Sequence, residues 1–182
     1  DQPGENITSY PYWGHWGFTG GSTKGQLGGF DQSTLVELED NSYSVAPFGP
    51  FANGGNGVPY NELELYLMGM VPLSSVNPFD LFSDITEWSA TETAYEFTAN
   101  SRITYDNVAI ENLLGTRVPN FAESQKEFKL LVVVLTDEEL TTEEWNIIDS
   151  TAEWFSYSGP DDDYSYNFWE ATNGVGSIVI GE

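Results

Sequence analysis

The sequence predicts an α+β fold: a small sheet with a central apolar strand, three or four short helices, and a large ordered loop layer rich in glycine and aromatic residues. Three observations lead there. The run Leu130-Leu131-Val132-Val133-Val134-Leu135 has strand length and is apolar on both faces, which suits a strand covered above and below. Asn61 with Glu64, and Thr141 with Glu144, have capping-box spacing at the start of helix-like segments. Glycines at 14, 17, 20, 21, 25, 28 and 29 are interleaved with Tyr10, Tyr12, Trp13, Trp16, Phe18 and Phe30, too many rings for a disordered linker.

Taken in order, residues 1–59 are loop-rich, with further glycines at 49, 54, 55 and 57 that permit positive φ. A helix starts at Asn61, with Tyr60 and Leu65 as a hydrophobic staple, and ends at Gly69 and Pro72. Residues 72–88 read as loop with a helical turn around Phe79 to Phe82. Tyr95 to Ala99 alternates like a strand and pairs back with Arg102 to Tyr105 across a turn at Asn100-Ser101. Asp106 caps a short helix that ends at Leu114-Gly115. Glu127 to Thr136 is the central strand, so a carboxylate placed at Val133 is expected to unfold the domain. From Thr141 the residues Trp145, Ile148, Ala152 and Phe155 form one buried helix face, stopped by Gly159-Pro160. A short helix, Asn167 to Thr172, and a strand, Ser177 to Ile180, follow. No repeat or boundary divides the chain, so a single domain over 1–182 is expected, with 1–59 as loop layer and 60–182 as core.

Five Lys and Arg face 29 Asp and Glu, a formal net charge of −24. Such a surface repels phosphate backbones and anionic lipid, so no nucleic-acid partner is expected. No run approaches the roughly 18 apolar residues of a membrane span, so no membrane insertion is expected either. The chain has no Cys, which removes disulfides and thiolate metal sites. Asp1-Gln2-Pro3-Gly4 is not a signal peptide, so either a leader has been removed or the chain is part of a longer precursor. The composition points to an extracellular or cell-surface protein.

No catalytic residue is assigned. His15 is the only histidine, and it sits between Trp13 and Trp16. There is no HExxH, P-loop, dinucleotide fingerprint, EF-hand loop or nucleophile elbow. Glu62 and Glu64 are two apart and do not share a helix face. Glu138, Glu139, Glu143 and Glu144 complement a helix dipole. Asp161, Asp162 and Asp163 are candidate calcium ligands, set against a plain solvated loop. The loop Asn53-Gly54-Gly55-Asn56-Gly57 is a tight turn first and a cation or sugar contact second. Exposed Trp and Tyr can stack on sugar rings, which makes a glycan a candidate partner.

Several stretches together resemble the C-terminal portion of secreted bacterial zincin-like proteins that carry an HExxHxW helix. They are His15-Trp16-Gly17-Phe18, Gln26-Leu27-Gly28-Gly29-Phe30-Asp31, Tyr60-Asn61-Glu62-Leu63-Glu64-Leu65-Tyr66-Leu67-Met68-Gly69 with Val71-Pro72, Ser124-Gln125-Lys126-Glu127-Phe128, and Glu170-Ala171-Thr172-Asn173-Gly174. The HExxH segment itself is absent. The resemblance implies a metallopeptidase-like protein whose catalytic helix lies in a missing N-terminal segment, with His15 or Glu64 as third zinc ligand. It implies a groove lined by Trp13, Trp16, Tyr60 and Tyr66. Zinc enters only if that segment exists; calcium is the other candidate cofactor, and none is required by the chain as given.

Three functions follow as alternatives. The first is a non-catalytic C-terminal subdomain, or degenerate relative, of a secreted zinc-metallopeptidase-like protein. The second is a structural or adhesive extracellular module that self-associates in a surface assembly. The third is a carbohydrate-binding module.

Overall fold

The computed structural model describes residues 6–9, 14–49, 57–161 and 165–181. Along the chain run β1 (Gly20–Gly21), β2 (Phe30–Asp31), β3 (Val36–Glu37), β4 (Ser42–Val45), α1 (Glu62–Met68), β5 (Phe79–Ala90), β6 (Tyr95–Tyr105), α2 (Asn107–Leu114), β7 (Glu127–Leu130), α3 (Thr142–Ser156), α4 (Phe168–Ala171) and β8 (Ser177–Ile180). The fold is α+β. Its main sheet has the order β3-β4-β6-β5 with antiparallel neighbours, while β1-β2 and β7-β8 are separate parallel pairs.

The hairpin of β5 and β6 organises the core. The first four residues of β5 are all buried, whereas its last five are exposed. Phe79 and Leu81 join Trp16, Leu63, Tyr66 and Ile110 in one apolar cluster. Phe82 joins Phe18, Phe30, Tyr43 and Phe97 in a second. There the Phe82 and Phe97 rings meet edge-on at 5.0 Å, a favourable aromatic geometry. The N-terminal loop layer is thereby packed onto the sheet through Phe18 and Phe30.

This hairpin corrects two sequence expectations. Phe79 to Phe82 is strand and carries no helical turn. The charged Asp80 interrupts the apolar pattern there, yet it is only 2% exposed. It accepts hydrogen bonds from Gln32 Nε2 (2.7 Å), Arg102 Nη2 (2.9 Å) and Thr104 Oγ1 (2.5 Å). Burial pushes the Asp80 carboxyl up, but these bonds and the Arg102 charge outweigh it and hold it below the ordinary value. Nor is there a turn at Asn100-Ser101: β6 runs on through it, with Ser101 opposite Ser83. The polar pair marks the middle of a strand, close to the bulge between Ile85 and Glu87.

The helices start where the sequence places them. Asn61 accepts from the Glu64 backbone N–H and Glu64 accepts from that of Asn61, each at 2.9 Å, and Gly69 ends α1 at φ 80°. Asp106 caps α2, and the Thr141–Glu144 box opens α3. A further box, Asn167 with Glu170, opens α4.

The central apolar strand is the third correction. β7 stops at Leu130 and pairs only with β8, which ends at Ile180. Residues 131–135 belong to no helix or strand, and Leu131, Val133 and Leu135 are 83, 68 and 93% exposed. The four-stranded sheet is assembled from other segments, and the apolar run follows the separate β7–β8 pair, beside α3. Among the described residues no helix is long and apolar enough to cross a membrane.

Candidate functional site

Glu64 sits on the first turn of α1 with 3% exposure. Its Oε1 accepts from Trp16 Nε1 (2.8 Å) and the Leu27 N–H (2.8 Å). Its Oε2 accepts from the N–H groups of Gln26 (3.1 Å) and Asn61 (2.9 Å). Four donors fill the lone pairs of one carboxylate, so the group clamps the glycine-rich loop to the helix. The fit is tight: a Cβ on Gly25 would lie 2.2 Å from Glu64 Oε2. A carboxylate so occupied has no lone pair directed at a metal, which favours the capping role over the zinc-ligand role implied by the resemblance.

His15 is half-buried. Its carbonyl accepts from Thr8 Oγ1 at 2.5 Å, and its buried Nδ1 has no hydrogen-bond partner among the described residues. Among the described residues no group of three or more His, Asp or Glu is arranged to hold a metal ion. Trp16 and Tyr66 are core residues, 8 and 6% exposed, so they do not line an open groove. Their burial follows from the packing of α1 against β5. Trp13 lies outside the described residues.

Tyr60 lines a different space, a cavity of about 330 Å³ shared with Gln26, Trp154, Phe155, Tyr166 and Phe168. Burial pushes the Tyr60 phenol above its ordinary value, and the Glu64 charge adds to this. Of the acidic loop, Asp162 and Asp163 lie outside the described residues. Asp161 is drawn toward α4: its N–H donates to Glu170 Oε1 at 3.1 Å, and its Oδ2 accepts from Asn167 Nδ2 at 3.4 Å. Residues 53–56 of the glycine-rich loop also lie outside the described residues.

An apolar groove lies at β7 and α3. Leu130, Val132 and Val134 line one side of a groove of about 530 Å³, and Trp145, Ile148 and Ala152 of α3 line the other. Asp149 and Glu153, one helical turn apart, stand in the same α3 wall. Trp145 is 47% exposed, so the helix face expected to be buried forms a groove wall. No backbone hydrogen bond joins residues 131–135 to any described residue. The sequence holds no local signal for this, since a run apolar on both faces reads the same whether or not a sheet covers it.

Comparison with family models, with curated proteins and with solved structures finds no match to this chain.

Proposed function

We propose that this chain is a non-catalytic docking subdomain of a larger secreted protein of the zinc-metallopeptidase type, and that it works through the bare strand at 131–135. The observation that carries the reading is the exposure of Leu131, Val133 and Leu135 beside an apolar groove. Exposed, unpaired, β-branched chain of this kind is a template for another polypeptide. The filled acceptor set of Glu64 supports the non-catalytic part, because the carboxylate best placed by sequence is already engaged in holding the fold.

Two measurements on the 182-residue chain test this. Hydrogen exchange should be fast at the amides of residues 131–135 and slow in β5 and β6, because only the latter are hydrogen-bonded. Dialysis against zinc should leave less than one stoichiometric zinc per chain and no cleavage of an unfolded protein substrate. Slow exchange at 131–135 would remove the docking strand; tight zinc with peptide hydrolysis would remove the non-catalytic reading.

A further inference from the structure

We propose that the occupant of this strand is an extended segment of a partner polypeptide. The segment adds alongside Leu131–Leu135 as a β-strand and places a lysine or arginine side chain in the groove against α3. The inference rests on the docking reading above and names the chemistry of what docks.

The backbone argues for strand addition. The peptide groups of 131–135 make no hydrogen bond to the described residues, and β8 ends before it reaches them. An added strand satisfies them and covers Leu131, Val133 and Leu135 with alternate side chains. The groove argues for the cation. Its walls are apolar at Val132, Trp145 and Ile148, matching the methylene stem of a long side chain, and its polar groups are the carboxylates of Asp149 and Glu153. No lysine or arginine lines it. The exposed indole of Trp145 adds a ring face for a cation. Asp137, Glu138, Glu139 and Glu143, all exposed, follow the strand and favour a basic flank on the partner.

The same charges disfavour the other occupants. Two copies of a −24 chain would bring two acidic rims together. The chain's own cations are few and mostly engaged. Arg102 is paired with Asp80 and Glu37, Arg117 donates to the carbonyls of Leu67 and Pro119, and Lys126 donates to those of Phe121 and Ser124.

The probe is a fluorescein-labelled ten-residue peptide that alternates valine with threonine, with lysine at its centre and at one end. Anisotropy is read against the 182-residue chain in 0.15 M NaCl. Replacing the peptide's lysines by glutamate, or alternate valines by proline, should each weaken binding at least about tenfold, equivalent to 1.4 kcal/mol. The pair Leu131→Thr with Val133→Thr should do the same, and so should Asp149→Asn with Glu153→Gln. All four substitutions are at exposed positions, and circular dichroism confirms that each variant folds. Equal binding of the glutamate peptide, of the proline peptide or by the Asp149/Glu153 variant overturns the proposal. So does absence of binding by the lysine peptide. A dimer of the chain alone that Leu131→Thr with Val133→Thr dissolves overturns it in favour of a second copy. Exchange at 131–135 separates the two levels. Slow exchange sinks the docking reading itself, whereas fast exchange without preference for the basic peptide sinks only this partner.

Discussion

Glu64 joins two segments far apart in sequence, and its neighbours have little freedom to replace it. Two of its donors, the N–H groups of Gln26 and Leu27, come from the loop, and Gly25 must lack a Cβ for the carboxylate to sit there. Glu64→Gln keeps the shape but turns one acceptor oxygen into an NH₂ group facing two donors. A buried donor left unsatisfied costs about 1–3 kcal/mol, and bonds to a charged acceptor are the stronger kind. Glu64→Gln should therefore lower unfolding free energy by about 3 kcal/mol in urea melts, and Gly25→Ala by a similar amount. A carboxylate kept for a metal would behave otherwise: its amide variant would leave stability nearly unchanged. The capping half of this role is legible in the sequence, because Asn61 and Glu64 are three apart. The loop half is not, because Trp16, Gln26 and Leu27 reach Glu64 only through the tertiary fold.

At the scale of the elements, the run that follows β7 and the start of β5 exchange the roles that hydrophobic pattern assigns them. Val133 is 68% exposed and Phe82 is fully buried between Phe30, Tyr43 and Phe97. Val133→Asp should accordingly shift stability by no more than about 0.5 kcal/mol, as surface substitutions do. Phe82→Ala should cost about 3–5 kcal/mol by emptying the second cluster. Thermal melts of the two variants measure the contrast, and a large loss from Val133→Asp would restore the run to the core. The helix starts were legible because a cap is a local device: a side chain and a backbone amide three residues apart. The long hairpin was not. Asp80 breaks its apolar alternation, and its compensation by Gln32, Arg102 and Thr104 comes from 48, 22 and 24 residues away. The groove is not legible for a related reason: a run apolar on both faces has the same sequence signature in a sheet's centre as outside any sheet.

For the whole molecule the deciding quantity is the balance of 29 acidic against five basic side chains. Among the described residues the ion pairs are those of Arg102 with Glu37 and Asp80, and most other carboxylates face solvent beside like charges. Folding concentrates this charge, so self-repulsion opposes the compact state more than the extended chain. Salt acts on both terms. It weakens the exposed Arg102–Glu37 pair, which contributes at most about 1 kcal/mol. It also screens the repulsion of the whole surface, with a Debye length falling from about 30 Å at 0.01 M to about 8 Å at 0.15 M. Two pairs do not offset an excess of 24 negative charges, so repulsion dominates and stability should rise with salt. At this chain length a gain of 1 kcal/mol raises Tm by about 2–4 °C, so calorimetry from 0.01 to 0.15 M NaCl should show a rise of several degrees. Repeating the scan in MgCl₂ and CaCl₂ at matched ionic strength separates screening from coordination. Equal curves for the two cations mean the carboxylates act as a field. An excess stabilisation by calcium alone would assign a site, with the loop of Asp161, Asp162 and Asp163 as the first place to substitute. A Tm that falls as NaCl rises would mean that the few ion pairs outweigh the net charge.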